Sequence, residues 1–383
     1  MTSEITIERL AHGGDGVGYI DGKICFVPYG LPQDKLSVEI TEDGKRFSRA
    51  EIVAVLEASP YRIDADCPAF GSCGGCTWLH FAYPAQMEWK QKLVEESFRR
   101  LAKVEVSVDG LGDPDLHKGY RTRATFRGDK KNRGFYAAQS HDVIDIEECP
   151  LCDPAVNAAL TKIRETGADG NVEVVVNPEG EEVFVWTEKP SRLIKKAFDI
   201  AECPGDTEKQ STFVFDDTPV VNGTFNQSSL KLNRILVEHV HSFLEGADSI
   251  LDLYCGSGNL TMALSDRAKV IGLDRDGPSI KAADIAERGE FHIGKQKDFH
   301  DFIHRQHWGA IVLDPPRVGA KSIMKSLSDA KAAKIIYVSC DHATQARDVT
   351  VLLKAAWKIT SLTAIDLFPN TSHVESVCIL ERS

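Results

Sequence analysis

From about residue 248 the chain alternates short apolar runs with amphipathic stretches, and this alternation limits the fold more than any other feature. Strands are expected at 249–254, 270–274, 310–314 and 335–339, with helices between them. Two more strand-like runs, 359–367 and 375–380, close the chain. Strands that alternate with helices build a doubly wound α/β sheet, whose ligand sits at the carboxyl ends of the strands. Functional residues are therefore sought where each run ends.

The first run ends in Asp252-Leu253-Tyr254-Cys255-Gly256-Ser257-Gly258-Asn259. Glycines at such a point let the backbone approach a ligand and open the next helix. The full dinucleotide fingerprint is absent, because Thr261 stands where the third glycine belongs. The second run ends in Gly272-Leu273-Asp274, an acid placed to accept both hydroxyls of a ribose. A glycine loop followed by an acid at this spacing fits an adenosine-bearing ligand of the S-adenosylmethionine (SAM) type. The third strong run ends in Asp314-Pro315-Pro316-Arg317.

The fourth run delivers Tyr337-Val338-Ser339-Cys340-Asp341. A buried core thiol is the commoner fate of a lone cysteine. Cys340, however, lies beyond the apolar run, where this fold puts its chemistry, and a thiolate there is a nucleophile. Downstream, Phe368-Pro369-Asn370-Thr371-Ser372-His373-Val374 leads to Glu375, which opens an apolar strand. A carboxylate is costly at such a position unless it has a role, so Glu375 is the candidate base.

The region before 248 has a different texture. Residues 1–57 read as short strands broken by turn signals such as Gly13-Gly14-Asp15-Gly16 and Asp21-Gly22, the pattern of a small antiparallel barrel. A helix is expected over 84–101, and an α+β region runs to about 215. Between them Cys67, Cys73 and Cys76 fall within ten residues. With Cys149 they supply four thiolates suited to an iron–sulfur cluster. The pairs Cys73-x2-Cys76 and Cys149-x2-Cys152 would instead suit a structural zinc and leave Cys67 free. Spacing alone leaves both open. From 117 to 136, Lys118, Arg121, Arg123, Arg127, Lys130, Lys131 and Arg133 interleave with Tyr120, Phe126, Phe135 and Tyr136 against the single acid Asp129. A backbone-tracking, base-stacking surface needs this mixture, although an ordinary solvated hairpin shows it too. Lys189, Arg192, Lys195 and Lys196 form a second basic group.

Composition sets outer bounds. The 383 residues suggest two or three domains, and 42% apolar residues are enough for a sizeable core. No apolar run reaches the ~18 residues of a membrane span, and the acidic N-terminal stretch argues against a signal peptide. Ten cysteines without such a signal fit a reducing, cytoplasmic setting. A net charge of −12 is the wrong sign for a protein that coats nucleic acid, so any such binding rests on local patches.

Taken together, the blocks at 252–259, 314–317, 337–341 and 366–375 resemble the RNA uridine-5 methyltransferase family, nearest to its members that act on 23S rRNA. The resemblance covers nearly the whole chain. It implies three parts: an RNA-binding TRAM barrel, OB-like, at 1–57; a central α+β domain with an iron–sulfur cluster and a basic RNA-facing hairpin at 58–215; and a Rossmann-like SAM-dependent catalytic domain at 216–383. In the family the fourth cluster ligand precedes a proline, which favours Cys149 (before Pro150) over Cys152, and a [4Fe-4S] cluster over zinc. The resemblance makes Cys340 the nucleophile and Glu375 the proton acceptor in methylation of uridine carbon 5. It assigns SAM contacts to Gln227, Tyr254, Asn259, Asp274 and Asp314, beside Gly256 of the glycine loop. The expected partner is RNA, with 23S rRNA ahead of tRNA, and the expected state is a monomer. A non-catalytic RNA-binding assembly factor is the reading from another class. The chain departs from the family in reading Ser339-Cys340-Asp341-His342 where Ser-Cys-Asn-Pro is usual, Leu31-Pro32-Gln33 for Leu-Pro-Gly, and Lys295 near the adenine.

Overall fold

A computed structural model describes residues 2–205 and 210–382. The N-terminal unit holds β1 (Thr2–Thr6), β2 (Arg9–Leu10), β3 (Gly16–Ile20), β4 (Lys23–Val27), β5 (Lys35–Asp43) and β6 (Phe47–Glu57). They form one sheet in the order β1-β5-β6-β4-β3-β2. The sheet curls until Gly18 on β3 meets β1, where an added Cβ would stand 2.2 Å from the Thr6 carbonyl oxygen. Ile5, Ile7, Cys25, Val27, Leu36, Val38 and Ala50 fill its interior. The expected all-antiparallel barrel needs one correction: β4 and β6 run parallel, because the long β5–β6 hairpin intervenes between the strands that pair.

The expected helix appears as α1 (Tyr83–Ser97), opened by Pro84 and continued by a wider turn at Phe98–Ala102. Lys103, at φ +60°, ends it. A short strand β7 (Asp109–Leu111) follows. The central sheet then runs β10-β9-β8-β11-β12-β13. Its strands are β8 (Arg123–Gly128), β9 (Arg133–Tyr136), β10 (Val143–Asp145), β11 (Val172–Val176), β12 (Val183–Thr187) and β13 (Ile200–Glu202). Helix α2 (Pro154–Thr166) packs Val156, Ala159, Leu160 and Ile163 against this sheet. Asp153 caps its start by accepting from the Ala155 amide, and Gly167 ends it. Helix α3 (Arg192–Ala197) and the hairpin β14 (Thr212–Phe215)–β15 (Thr218–Val221) complete the middle of the chain.

The C-terminal sheet is built from β16 (Ser249–Leu253), β17 (Lys269–Asp274), β18 (Glu290–Ile293), β19 (Trp308–Leu313), β20 (Ala332–Ser339), β21 (Trp357–Ile365) and β22 (Glu375–Arg382). All six expected strands are present. The order β18-β17-β16-β19-β20-β22-β21 is parallel except for β22, which inserts antiparallel between β20 and β21. Side chains alternate between two faces, as period-2 strands require. Ile250, Val270, Ala310, Val312, Ile336 and Val338 point to α4 (Leu230–Phe243) and share their core with the central sheet. Leu251, Leu253, Ile271, Leu273, Ile311 and Tyr337 face α6 (Gln296–His304) and α8 (His342–Leu353), with Val94 and Phe98 in the same core. Helices α5 (Gly277–Ile285) and α7 (Met324–Ser328) fill the remaining crossovers. Strand β7 pairs in parallel with β21 and becomes the eighth strand of this sheet, although it lies within the expected central segment. Among the described residues no helix is long and apolar enough to cross a membrane.

Candidate active site

The strand order reverses between β16 and β19, so their carboxyl ends open a crevice. Tyr254, Gly256, Asn259 and Asp274 line its β16–β17 side. Asp274 accepts the Gly256 and Asp276 amides, each at 2.9 Å, which fixes the carboxylate at the mouth of the glycine loop. Asn259 exchanges side-chain hydrogen bonds with Asn233 of α4 at 2.7 and 3.1 Å. The Tyr254 ring stands edge-on to Phe299. Gln227 lies in the segment that enters α4, whose first turn is capped by the Ser229 hydroxyl. Thr261, which breaks the glycine fingerprint, donates at 2.6 Å to Asp252. Asp252 is fully buried beneath the loop, and desolvation pushes its carboxyl up to about 8. Sequence reasoning passed over it because nothing distinguishes a strand-end aspartate that faces inward from one that faces out.

Cys340 and Glu375 are brought together by register. On β20 and β22 Ser339 pairs with Ser376 in an antiparallel ladder. The ladder stops there: Cys340 follows Ser339, Glu375 precedes Ser376, and the charge of Glu375 is felt at the Cys340 thiol. The single Ser376 hydroxyl proton has two acceptors that hold this register, Gln345 Oε1 at 2.8 Å and Ser339 O at 3.1 Å. Glu375 is 3% exposed and its Oε1 has no hydrogen-bond partner. Burial, then the charge of Asp314, raises its carboxyl well above the usual range, while Arg317 opposes the shift. Burial, Glu375 and Asp314 push the Cys340 thiol up to about 11, against a hydrogen bond from Arg317. Burial and Asp274 push Asp314 up to about 7. Cys340 and Glu375 thus both feel the charges of Asp314 and Arg317. Asp341 caps α8 by accepting the Thr344 amide at 2.7 Å, so the helix begins immediately behind Cys340, where its dipole favours a thiolate.

The loop that carries Glu375 is anchored outside the catalytic domain. Tyr120 Oη donates to Pro369 O, Gln86 is joined to Asn370 through both its amide groups, and Asn370 Nδ2 donates to His117 O. Lys90 of α1, wholly buried, reaches Asp366 at 2.6 Å and Phe368 O at 3.1 Å. None of these ties has a sequence signal, since the partners lie some 250–280 residues apart.

Cys67, Cys73, Cys76 and Cys149 line one cavity with Phe70, Leu79, Phe135, Ile146, Leu151 and Arg121. Cys152 is not part of its lining; its amide donates to Cys149 O at 3.0 Å. Among the described residues no three His, Cys, Asp or Glu side chains stand close enough to hold a metal ion, so the thiols expected as ligands share a cavity without converging on one point. Their chemistry, soft thiols within apolar walls and beside a cation, suits an iron–sulfur cluster.

The basic run also needs correction. Arg133 is 2% exposed and donates to the carbonyls of Ala168, Gly170 and Asp129. Arg123 pairs with Glu173 at 2.7 Å, and Arg121 belongs to the cysteine cavity. Arg133 serves the fold, whereas Arg121 and Arg123 also line an open groove with Arg127, Phe135 and Tyr136. Arg127, set over the Tyr136 ring, and the exposed Lys130 and Lys131 remain turned outward.

Comparison with known proteins follows this geometry. Residues 1–53 match the TRAM domain, and residues 285–383 match the tRNA (Uracil-5-)-methyltransferase family. The 23S rRNA (uracil(1939)-C(5))-methyltransferase RlmD of Tolumonas auensis is 30% identical over 99% of this chain and 96% of its own. That of Vibrio parahaemolyticus is 29% identical with the same coverage. The crystal structure of Pyrococcus abyssi tRNA (uracil-54, C5)-methyltransferase with S-adenosyl-L-homocysteine superposes with a TM-score of 0.78 and 25% identity, over 99% of this chain and 100% of that one. Similarity sustained from the barrel to the last strand of the C-terminal sheet means that the chain belongs to the family of RNA uracil-C5 methyltransferases.

Proposed function

We propose that this protein transfers a methyl group from SAM to carbon 5 of a uridine in 23S rRNA, through a covalent bond between Cys340 and the base. The observation that carries the reading is that Cys340 and the buried Glu375 flank the last pair of the β20–β22 ladder, near enough for the charge of Glu375 to act on the thiol. Carbon 5 of uracil is a poor nucleophile. Addition of the Cys340 thiolate to carbon 6 makes carbon 5 enolate-like, and carbon 5 then attacks the sulfonium methyl, releasing S-adenosylhomocysteine. Glu375 removes the carbon 5 proton, and the Cys340–C6 bond breaks to return the thiolate. Each side chain suits its step. Burial keeps Glu375 basic enough to take a proton from carbon. Arg317, the start of α8 and the cationic sulfonium all favour the thiolate. The SAM assignment rests on Tyr254, Gly256, Asn259, Asp274 and Asp314 at or just beyond the carboxyl ends of β16, β17 and β19, with Gln227 ahead of α4. The target uridine must leave its stack to reach Cys340.

The cavity of Cys67, Cys73, Cys76 and Cys149 would hold a [4Fe-4S] cluster. When bound, such a group supplies a structural cross-link between the cysteine segment and the turn before α2, since methyl transfer moves no net electrons. One chain contains every group named, in line with a monomer, and ten free thiols suit the cytoplasm.

The test is transfer of labelled methyl from SAM to unmodified 23S rRNA and to a tRNA pool, with nucleoside analysis. The expected result is 5-methyluridine from 23S rRNA alone. Label in tRNA alone would keep the chemistry and overturn the substrate. Absence of label in both, from protein that binds SAM, would overturn the reading.

A further inference from the structure

The β20–β22 ladder ends at Ser339 and Ser376, one residue short of Cys340 and Glu375, so the two side chains depend on the loops beyond. Both loops are held by one short segment of the barrel, 11–15, between β2 and β3. This segment is internally fixed: the Ala11 amide donates to Asp15 O at 2.8 Å, and the Gly13 amide to Ala11 O at 3.0 Å.

On the nucleophile side, His12 Nδ1 lies 3.0 Å from His342 Nε2, with the rings edge to face at 4.5 Å. His12 Nε2 lies 3.6 Å from Asp341 Oδ2. Asp341 and His342 are the two residues after Cys340, and they are where the chain departs from the family's Ser-Cys-Asn-Pro. His342 Nδ1 reaches the Ser97 hydroxyl of α1 at 2.7 Å, and burial keeps this imidazole neutral, at about 3. Asp341 in turn caps α8, and its amide donates to the Ser339 hydroxyl. On the base side, the hydroxyl of Ser372, three residues before Glu375, donates to Gly13 O at 3.0 Å. Trp78 Nε1 donates to Gly14 O at 3.1 Å, and the Ser372 amide donates to Thr77 Oγ1 at 3.0 Å. Gly14 sits at φ +93°, and a Cβ there would come within 2.6 Å of Ser372 Cβ. The approach admits only glycine.

We infer that the 11–15 segment is a brace that aligns the nucleophile loop with the base loop, and that His12 is a positioning residue for Cys340. The inference rests on the proposed roles of Cys340 and Glu375. It makes the barrel part of the catalytic unit as well as an RNA-binding module: whatever moves the barrel moves both loops.

The experiment uses full-length protein, SAM and a 5-fluorouridine form of the substrate RNA. Fluorine cannot leave as a proton does, so the methylated adduct persists and reports the Cys340 steps without the Glu375 step. At saturating RNA, His12→Ala should slow adduct formation on the order of 10- to 100-fold, the scale set by small misplacements of a reacting group. SAM affinity should stay unchanged, and His12→Gln, which keeps an amide donor toward Asp341, should recover part of the rate. Gly14→Ala should form adduct but release product from ordinary uridine RNA more slowly, because it displaces Ser372. A His12→Ala enzyme with a normal saturated rate and only a raised KM for RNA would overturn the brace. So would a His12→Gln enzyme no faster than His12→Ala. Failure of the unaltered protein to form any adduct would instead overturn the role of Cys340, and the brace with it.

Discussion

Replacing Lys90 with methionine tests how the cysteine-bearing segment supports the active site. Lys90 and Asp366 are both 0% exposed and lie 2.6 Å apart. Lys90 also donates to Phe368 O, while Asp366 accepts the Phe368 amide at 3.0 Å and leaves Oδ2 without a partner. Without the ammonium, Asp366 becomes a buried carboxylate held by one amide. Removing one member of a buried pair costs about 3–5 kcal/mol. At roughly 2–4 °C per kcal/mol for domains of this size, Tm should fall by about 6–20 °C. The reverse single variant should depend on pH. In Asp366→Asn, Lys90 remains, and burial already lowers its pKa. A lysine with a depressed folded pKa sheds its proton at lower pH in the folded state, so that deficit shrinks as pH rises. The double variant should lose less than the sum of the two. The assay is thermal and denaturant unfolding from pH 6 to 9. A Lys90→Met loss below about 1 kcal/mol, or simple additivity in the double variant, would refute the reasoning.

Three other outcomes are expected. SAM affinity should rise by about tenfold relative to S-adenosylhomocysteine between pH 6 and 8. Asp314, pushed up to about 7, ionises across that range, and only SAM carries the sulfonium charge it would face; calorimetry of both ligands checks this. Arg133→Met should lower stability by about 1–3 kcal/mol with the salt slope of RNA binding unchanged, whereas Lys130→Ala with Lys131→Ala should flatten that slope, read from binding titrations at several salt concentrations. Cys76→Ser should lower iron and sulfide content in anaerobically purified protein, while Cys152→Ser should retain both, as elemental analysis will show.

Much of this was legible in sequence because it depends on local periodicity. The catalytic strands, the glycine loop, Asp274 and the strand-end Cys340 all follow from where apolar runs stop. The pairing of Cys340 with Glu375 was legible only as two strand-end residues, since the insertion of β22 between β20 and β21 is a long-range choice. Basic residues were overread for a physical reason. A guanidinium can satisfy carbonyls inside a fold as readily as phosphates outside it, and Arg133 does the former. The ties of Lys90, Gln86, Tyr120 and His12 to the two catalytic loops were illegible, because each joins residues that only the tertiary fold brings together. Strand β7 is a similar case, three residues whose place is set by the free edge of β21.

The central claim is that Cys340 attacks the base and Glu375 completes the reaction. It is tested most directly by incubating Glu375→Gln protein with methyl-labelled SAM and substrate RNA, then separating protein from RNA under denaturing conditions. The account predicts a labelled protein–RNA adduct that accumulates in Glu375→Gln and is absent when Cys340→Ala is added. Free 5-methyluridine formed at the normal rate by either single variant would contradict it.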